Sequence, residues 1–140
     1  MRPEVLADTG FLLALLDRSD RWHPACVRAF DELRLPLATT AAVLAELFHL
    51  VGDDAREVAA TWRLLRSGAM TVLPIDDTDL AELEALMHRY ADRPMDFADA
   101  TLVHLAARES ITTVATVDND DFETYRIGAR RRFLVVPGRR

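Results

Sequence analysis

Apolar residues fall in short unbroken runs that alternate with stretches of helical spacing along the whole chain. Val5-Leu6-Ala7 is the first run. It ends in Asp8-Thr9-Gly10, and helical spacing follows from Phe11 to Leu16, a pattern that predicts a buried strand feeding a helix. A second helix is predicted from His23 to Leu33, with Pro24 suited to its first turn. Pro36 to Thr39 reads as the second strand, and Thr40 is placed to cap a helix reaching Val51. Gly52-Asp53-Asp54 breaks the chain before a helix over Ala55 to Arg66. Met70 to Leu73 is the third strand, and Asp76 to Asp79 open a helix reaching Tyr90. Pro94 closes the next loop, and a helix follows from Asp96 to Arg108. Ile111 to Val117, rich in β-branched residues, predicts the fourth strand. An acidic turn, Asp118 to Asp121, leads to a short helix near Phe122 to Arg126, where Asp120 is a candidate cap, and Phe133 to Val136 is the fifth strand. Apolar strands alternating with helices predict an α/β fold. Its expected form is a three-layer α/β/α sandwich with a five-stranded, mainly parallel sheet, in one domain spanning residues 1–140.

Four acids occupy costly places in that pattern. Asp8 and Asp118 end apolar strands, Glu46 lies among Val43, Leu44, Leu47 and Leu50, and Asp99 sits in a helix that should bury one face. An ionised carboxylate there is expensive unless a cation binds it. Parallel strands align their C-terminal ends along one edge, where ligands bind, so Asp8 and Asp118 are expected to meet there. Asp96 shares a helix face with Asp99, and Asp121 shares a turn with Asp118. Two like charges about 4 Å apart repel by roughly 4 kcal/mol at an effective dielectric of about 20. Convergence therefore calls for a divalent ion, and oxygen donors without a nearby histidine or thiolate favour Mg2+ or Mn2+ over zinc. The chemistry this suggests is metal-assisted hydrolysis of a phosphodiester.

Composition adjusts the picture at a few points. With 140 residues, half of them hydrophobic, the chain can bury one sizeable core. A net charge of -6 argues against wrapping nucleic acid by bulk electrostatics, although bound divalent ions would offset the negative charge where a phosphate approaches. All 17 basic residues are arginine, so no mechanism can need a lysine. Arg126, Arg130, Arg131, Arg132, Arg139 and Arg140 form the one basic concentration. Its two readings are a solvated tail and a guide for an RNA backbone, with Arg130 and Arg131 as the candidate contacts. Cys26 has no partner cysteine and is expected as a small buried residue in a reducing cytoplasm. The run from Phe11 to Leu16 is too short for a membrane span, and the N-terminus lacks a signal-peptide pattern. The four histidines have no metal-ligand spacing, and Trp22 and Trp62 are expected to pack.

Asp8-Thr9-Gly10, the stretch Thr39 to Glu46, Asp96-Phe97-Ala98-Asp99-Ala100, and Thr116-Val117-Asp118 with Asp121-Phe122 together resemble the motifs of the PIN-domain ribonucleases, and most of all the bacterial VapC-type toxins. The resemblance covers essentially the whole chain, with four individually weak motifs in the right order. It implies that Asp8, Glu46, Asp99 and Asp118 are the catalytic acids and metal ligands, with Asp96 and Asp121 accessory ligands. Thr9 and Thr116 match hydroxyl positions that could touch substrate, although a threonine at a helix start more often caps the helix. The activity it implies is a Mg2+- or Mn2+-dependent endoribonuclease on single-stranded or loop RNA, often a homodimer, held inactive by a small antitoxin. Phe11, Leu15, Trp22 and Phe30 are expected to line the antitoxin groove. The alternatives are a housekeeping RNA-processing nuclease and a PIN-like module that only binds RNA or protein. A phospho-accepting receiver domain or a haloacid-dehalogenase-type phosphatase would need a lysine. The latter also needs a second acid where this chain has Gly10.

Overall fold

Strand β1, Val5–Ala7, is buried at every position and lies at the centre of the sheet. In this computed structural model, which describes residues 2–93 and 95–139, β1 pairs in parallel with β2, Leu37–Thr39, on one side. On its other side lies β4, Thr113–Ala115, with Val5 opposite Thr113 and Ala7 opposite Ala115. Outside β2 is β3, Met70–Val72, and outside β4 is β7, Leu134–Val136. All four pairings of the order β3-β2-β1-β4-β7 are parallel, so each connection must cross over, and helices make the crossovers. The five expected strands and the α/β/α class are borne out. The loop position Pro94 and the terminal Arg140 lie outside the described residues, as does Met1.

The helices are α1 (Thr9–Leu16), α2 (His23–Glu32), α3 (Ala41–Val51), α4 (Ala55–Arg66), α5 (Leu80–Arg89), α6 (Phe97–Glu109) and α7 (Asn119–Thr124). Thr40 caps α3 as expected, accepting from the Val43 amide at 3.3 Å. Its hydroxyl also meets that of Thr101 at 2.9 Å, which ties the start of α3 to α6 in the buried interior. The far end of α6 is fixed by a buried carboxylate. Asp79 receives the Asp76 amide at 2.9 Å and Arg108 Nη1 at 3.0 Å, and meets His104 Nε2 at 2.7 Å. Those donors, led by the Asp76 amide, hold the Asp79 carboxyl down at about 2. Cys26 is buried and free, as its isolation in the sequence suggested.

Several boundaries and surfaces differ from expectation. Residues Asp77–Asp79 form a separate 3-10 turn with a capping box instead of the first turn of α5. Helix α7 starts at Asn119, and its cap is Asp118, not Asp120, which instead pairs with Arg139. A hairpin of β5 (Arg126–Ile127) and β6 (Arg131–Arg132) occupies what read as a basic stretch. Two-residue strands carrying exposed arginines have no hydrophobic alternation to betray them. Phe11 is fully buried and cannot line a groove, while Leu15, Trp22 and Phe30 are partly buried against the core. Helix α1 is apolar almost all round, so its outward face could not be told from spacing. Trp62 is half exposed, its ring 4.9 Å from that of Phe48.

Candidate functional site

Asp8, Thr9, Gly10, Glu46, Asp96, Asp99, Val117, Asp118 and Asp121 line one pocket of about 320 Å³ at the C-terminal edge of the sheet. The Asp8 amide still belongs to the sheet, donating to Ala115 O at 2.9 Å, while its side chain caps α1 by accepting from the Thr9 amide at 2.8 Å. The end of β4 completes this corner. Thr116 Oγ1 donates to Asp8 Oδ2 at 2.8 Å and accepts from the Asp118 amide at 2.9 Å, so one hydroxyl sets both acids. Gly10 permits the approach of α1 to that turn, because a Cβ there would lie 2.6 Å from Val117 Cγ2.

The other walls come from helices. Asp96 caps α6, accepting from the Asp99 amide at 2.8 Å, which leaves Asp99 one turn further along the same end. Tyr125 Oη donates to Asp99 Oδ2 at 3.0 Å, and the Asp121 amide donates to Asp118 Oδ1 at 3.2 Å. Glu46 reaches the pocket from α3, half-buried. Arg93, which does not itself line the pocket, places its Nη1 2.6 Å from Asp121 Oδ1. A larger cavity of about 540 Å³ between Ala42, Val72, Ile75, Leu80 and Phe97 is mostly apolar and carries no comparable cluster.

Electrostatics mark the pocket as a place of unbalanced negative charge. Burial, opposed by the Thr116 and Thr9 hydrogen bonds, pushes Asp8 up to about 6. Burial and then the neighbouring charges of Asp8 and Asp96 push Asp99 up to about 8, and partial desolvation, followed by the neighbouring Asp121 carboxylate, raises the more exposed Asp118 to about 6. Thr9 Oγ1 is buried without a hydrogen-bond partner, the one such side-chain atom among the described residues, and its side chain lines the pocket. Among the described residues no three His, Cys, Asp or Glu side chains stand close enough to hold an ion as placed. The acids line the walls instead of converging on a point. An all-oxygen donor set, raised carboxyl pKa values and an orphaned hydroxyl all fit a hard divalent ion.

The PIN domain family model matches residues 5–127. The chain belongs to the PIN-domain family, in its VapC-type branch. It is 31% identical over 137 residues to Ribonuclease VapC26 of Mycobacterium tuberculosis, covering 95% of this chain and all of that one. The fold is similar to the crystal structure of Mycobacterium tuberculosis VapC20, described as a sarcin-ricin loop cleaving toxin. The TM-score is 0.74 at 21% identity, with 83% of this chain and 91% of the other covered. FitAcB from Neisseria gonorrhoeae superposes with a TM-score of 0.60 at 22% identity, covering 81% and 87%.

In this PIN domain all six acids singled out in the sequence reach one pocket, but their environments differ. Asp8 is buried, Asp99, Glu46 and Asp121 are half-buried, and Asp96 and Asp118 are exposed. Thr116, which could have met substrate, is fully buried with its hydroxyl committed to Asp8 and Asp118, so it positions acids instead. Thr9 lines the pocket but its hydroxyl is buried and makes no hydrogen bond, so it is not presented to substrate, and Asp8, not Thr9, caps α1. Arg130 and Arg131 stand exposed on the β5-β6 hairpin and do not line the pocket. Arg139 is spent on Asp120 and Glu123, and Arg126 Nη1 donates to the last carbonyls of α7. Two residues escaped notice, Tyr125 and Arg93. Each is a single residue brought against a pocket acid, Asp99 or Asp121, by tertiary packing, and neither has a spacing to that acid that would reveal it.

Proposed function

We propose that this protein is a divalent-metal-dependent endoribonuclease that cleaves single-stranded or loop RNA, acting as the toxin of a toxin-antitoxin pair in the cytoplasm. The observation that carries the reading is the pocket in which Asp8, Glu46, Asp99 and Asp118 meet at the sheet edge with their negative charge uncompensated. These four acids would hold Mg2+ or Mn2+, with Asp96 accessory to them. The bound ion supplies charge neutralisation and Lewis acidity at the phosphodiester. The chain supplies the orientation. Thr116 and the Thr9 amide fix Asp8, Tyr125 fixes one oxygen of Asp99, and Gly10 lets the start of α1 approach the turn after β4. Thr9 stands beside Asp8 with its Oγ1 buried, and Arg130 and Arg131 provide exposed charge for the RNA backbone further out.

Support for the substrate class comes from the similarity to a protein named as a ribonuclease and from the fold shared with a toxin described as cleaving an RNA loop. The small-antitoxin part of the partner reading is supported by the family and by the similar fold in FitAB bound to a DNA fragment, which has a TM-score of 0.60 at 21% identity; the homodimer stands on the family resemblance alone. No helix among the described residues is long and apolar enough to cross a membrane. Cleavage of a structured RNA in Mg2+, Mn2+ or EDTA, comparing the parent with Asp8→Ala and Asp99→Asn, tests the reading. Metal-dependent cutting is expected, falling by about 100-fold or more in both variants. Cutting that survives EDTA, or that either variant retains in full, would overturn the metal-carboxylate mechanism.

A further inference from the structure

One pocket acid already has a cation. Among the described residues, Asp121 is the only acid of the pocket with an ion pair, and Asp8, Glu46, Asp96, Asp99 and Asp118 have none. Arg93 Nη1 stands 2.6 Å from Asp121 Oδ1, with the two side chains 40% and 28% exposed; Asp121 lines the pocket, and Arg93 stands against it without lining the pocket itself. The Arg93 amide donates to Tyr90 O at 3.0 Å, and Met95 is buried in the core. No other hydrogen bond of the Arg93 guanidinium is made among the described residues.

A guanidinium does not lose its proton in a protein, and its planar fork matches phosphate oxygens. A divalent ion approaching Asp121 would have to displace a fixed positive charge. Asp8 and Asp99 are in the opposite position, with negative charge in a poorly solvated place and no cation to meet it. Nucleases that use two metals place one on each side of the scissile phosphate, clamping the attacking and leaving oxygens. We infer that this site holds a single divalent ion on its Asp8 and Asp99 side, and that Arg93, paired with Asp121, takes the place of the second cation. The inference rests on the metal-dependent reading above and fixes what that reading leaves open, the number of ions. It also removes Asp121 from the ligand set and makes it the anchor of a positioning residue.

The test counts ions, not turnover. Mn2+ is titrated into the ion-free, full-length chain at pH 8, and free Mn2+ is followed by electron paramagnetic resonance. The parent is expected to bind one Mn2+ tightly. Arg93→Gln, which removes the charge, is expected to bind a second at least tenfold more tightly than any second ion in the parent. Arg93→Lys, which keeps the charge, should stay at one. Adding Asp121→Asn to Arg93→Gln should abolish the second ion and keep the first, and circular dichroism confirms that each variant is folded. Two ions of comparable affinity in the parent, or one ion in Arg93→Gln, would overturn the inference while leaving the metal-dependent reading intact. A parent that binds no Mn2+ overturns both.

Discussion

Tyr125 shows how a buried aromatic residue can tune an acid without touching substrate. Its ring is fully buried, 5.0 Å from that of Tyr90 and 5.3 Å from that of Phe122, and its hydroxyl donates to Asp99 Oδ2. That bond favours the ionised form of Asp99, opposing the burial and the negative neighbours that raise it to about 8. Tyr125→Phe keeps the packing and removes the donor. Asp99 should then titrate higher by about one unit, since a hydrogen bond to a charged group contributes roughly 1.5 kcal/mol. The pH at which Mn2+ binding reaches half its maximum should move up with it, while urea denaturation changes by less than about 1 kcal/mol. Tyr125→Ala, by contrast, should cost about 3–5 kcal/mol through the cavity it leaves. An unchanged pH profile in Tyr125→Phe would mean that the hydroxyl does not act on Asp99. The six acids were legible in the sequence because strand ends and helix starts are themselves legible. Tyr125 and Arg93 were not, because a lone residue at the end of a short helix or in a loop acquires its partner only when distant elements pack.

At the scale of elements, the site depends on how closely the start of α1 approaches the turn after β4. Gly10 makes that possible, and the obstacle to any larger residue is Val117, a β-branched side chain with little freedom to turn aside. Gly10→Ala should therefore push α1 away from the Asp118 turn, with a cost of about 1–3 kcal/mol of overpacking and a loss of metal affinity. Val117→Ala added to Gly10→Ala should recover most of both, and a double-mutant cycle in urea measures the coupling. Independent, additive effects would refute the contact. Short apolar or β-branched stretches marked the strands of the main sheet, and the central strands β1 and β2, buried at every position, need no alternation. The β5-β6 hairpin had no such stretch, and its arginines read as a tail. The mistaken placing of Phe11 on a surface has a similar origin: in a helix as apolar as α1, periodicity cannot say which side meets solvent.

For the molecule as a whole, the pocket acids set the direction in which stability responds to pH and to metal. Asp8 and Asp118 at about 6 and Asp99 at about 8 all lie above their ordinary 3.8. Between about pH 4 and 8 the folded chain therefore binds more protons than the unfolded one, and stability falls as pH rises through that window. Asp79 has the opposite sign. Its carboxyl is held at about 2, so its contribution is present above its ordinary value and is lost as pH falls from about 4 towards 2. The ion-free protein should be most stable near pH 4 to 5, with a Tm in EDTA that declines towards pH 8. An ion that binds only the folded state adds RT ln(1 + [L]/Kd), and it binds ionised carboxylates, so Mg2+ should raise the Tm little at pH 5 and most at pH 8. General repulsion at a net charge of -6 acts in the same direction, and Asp99→Asn separates the two causes. It lowers the net negative charge by one but removes the highest-titrating group. The upper part of the decline, between about pH 6 and 8, should flatten if the pocket causes it, and should merely shift if overall charge does. A Tm in EDTA that rises from pH 5 to 8 would contradict the uncompensated pocket altogether, because no arrangement of buried, unpaired acids can gain stability as they ionise.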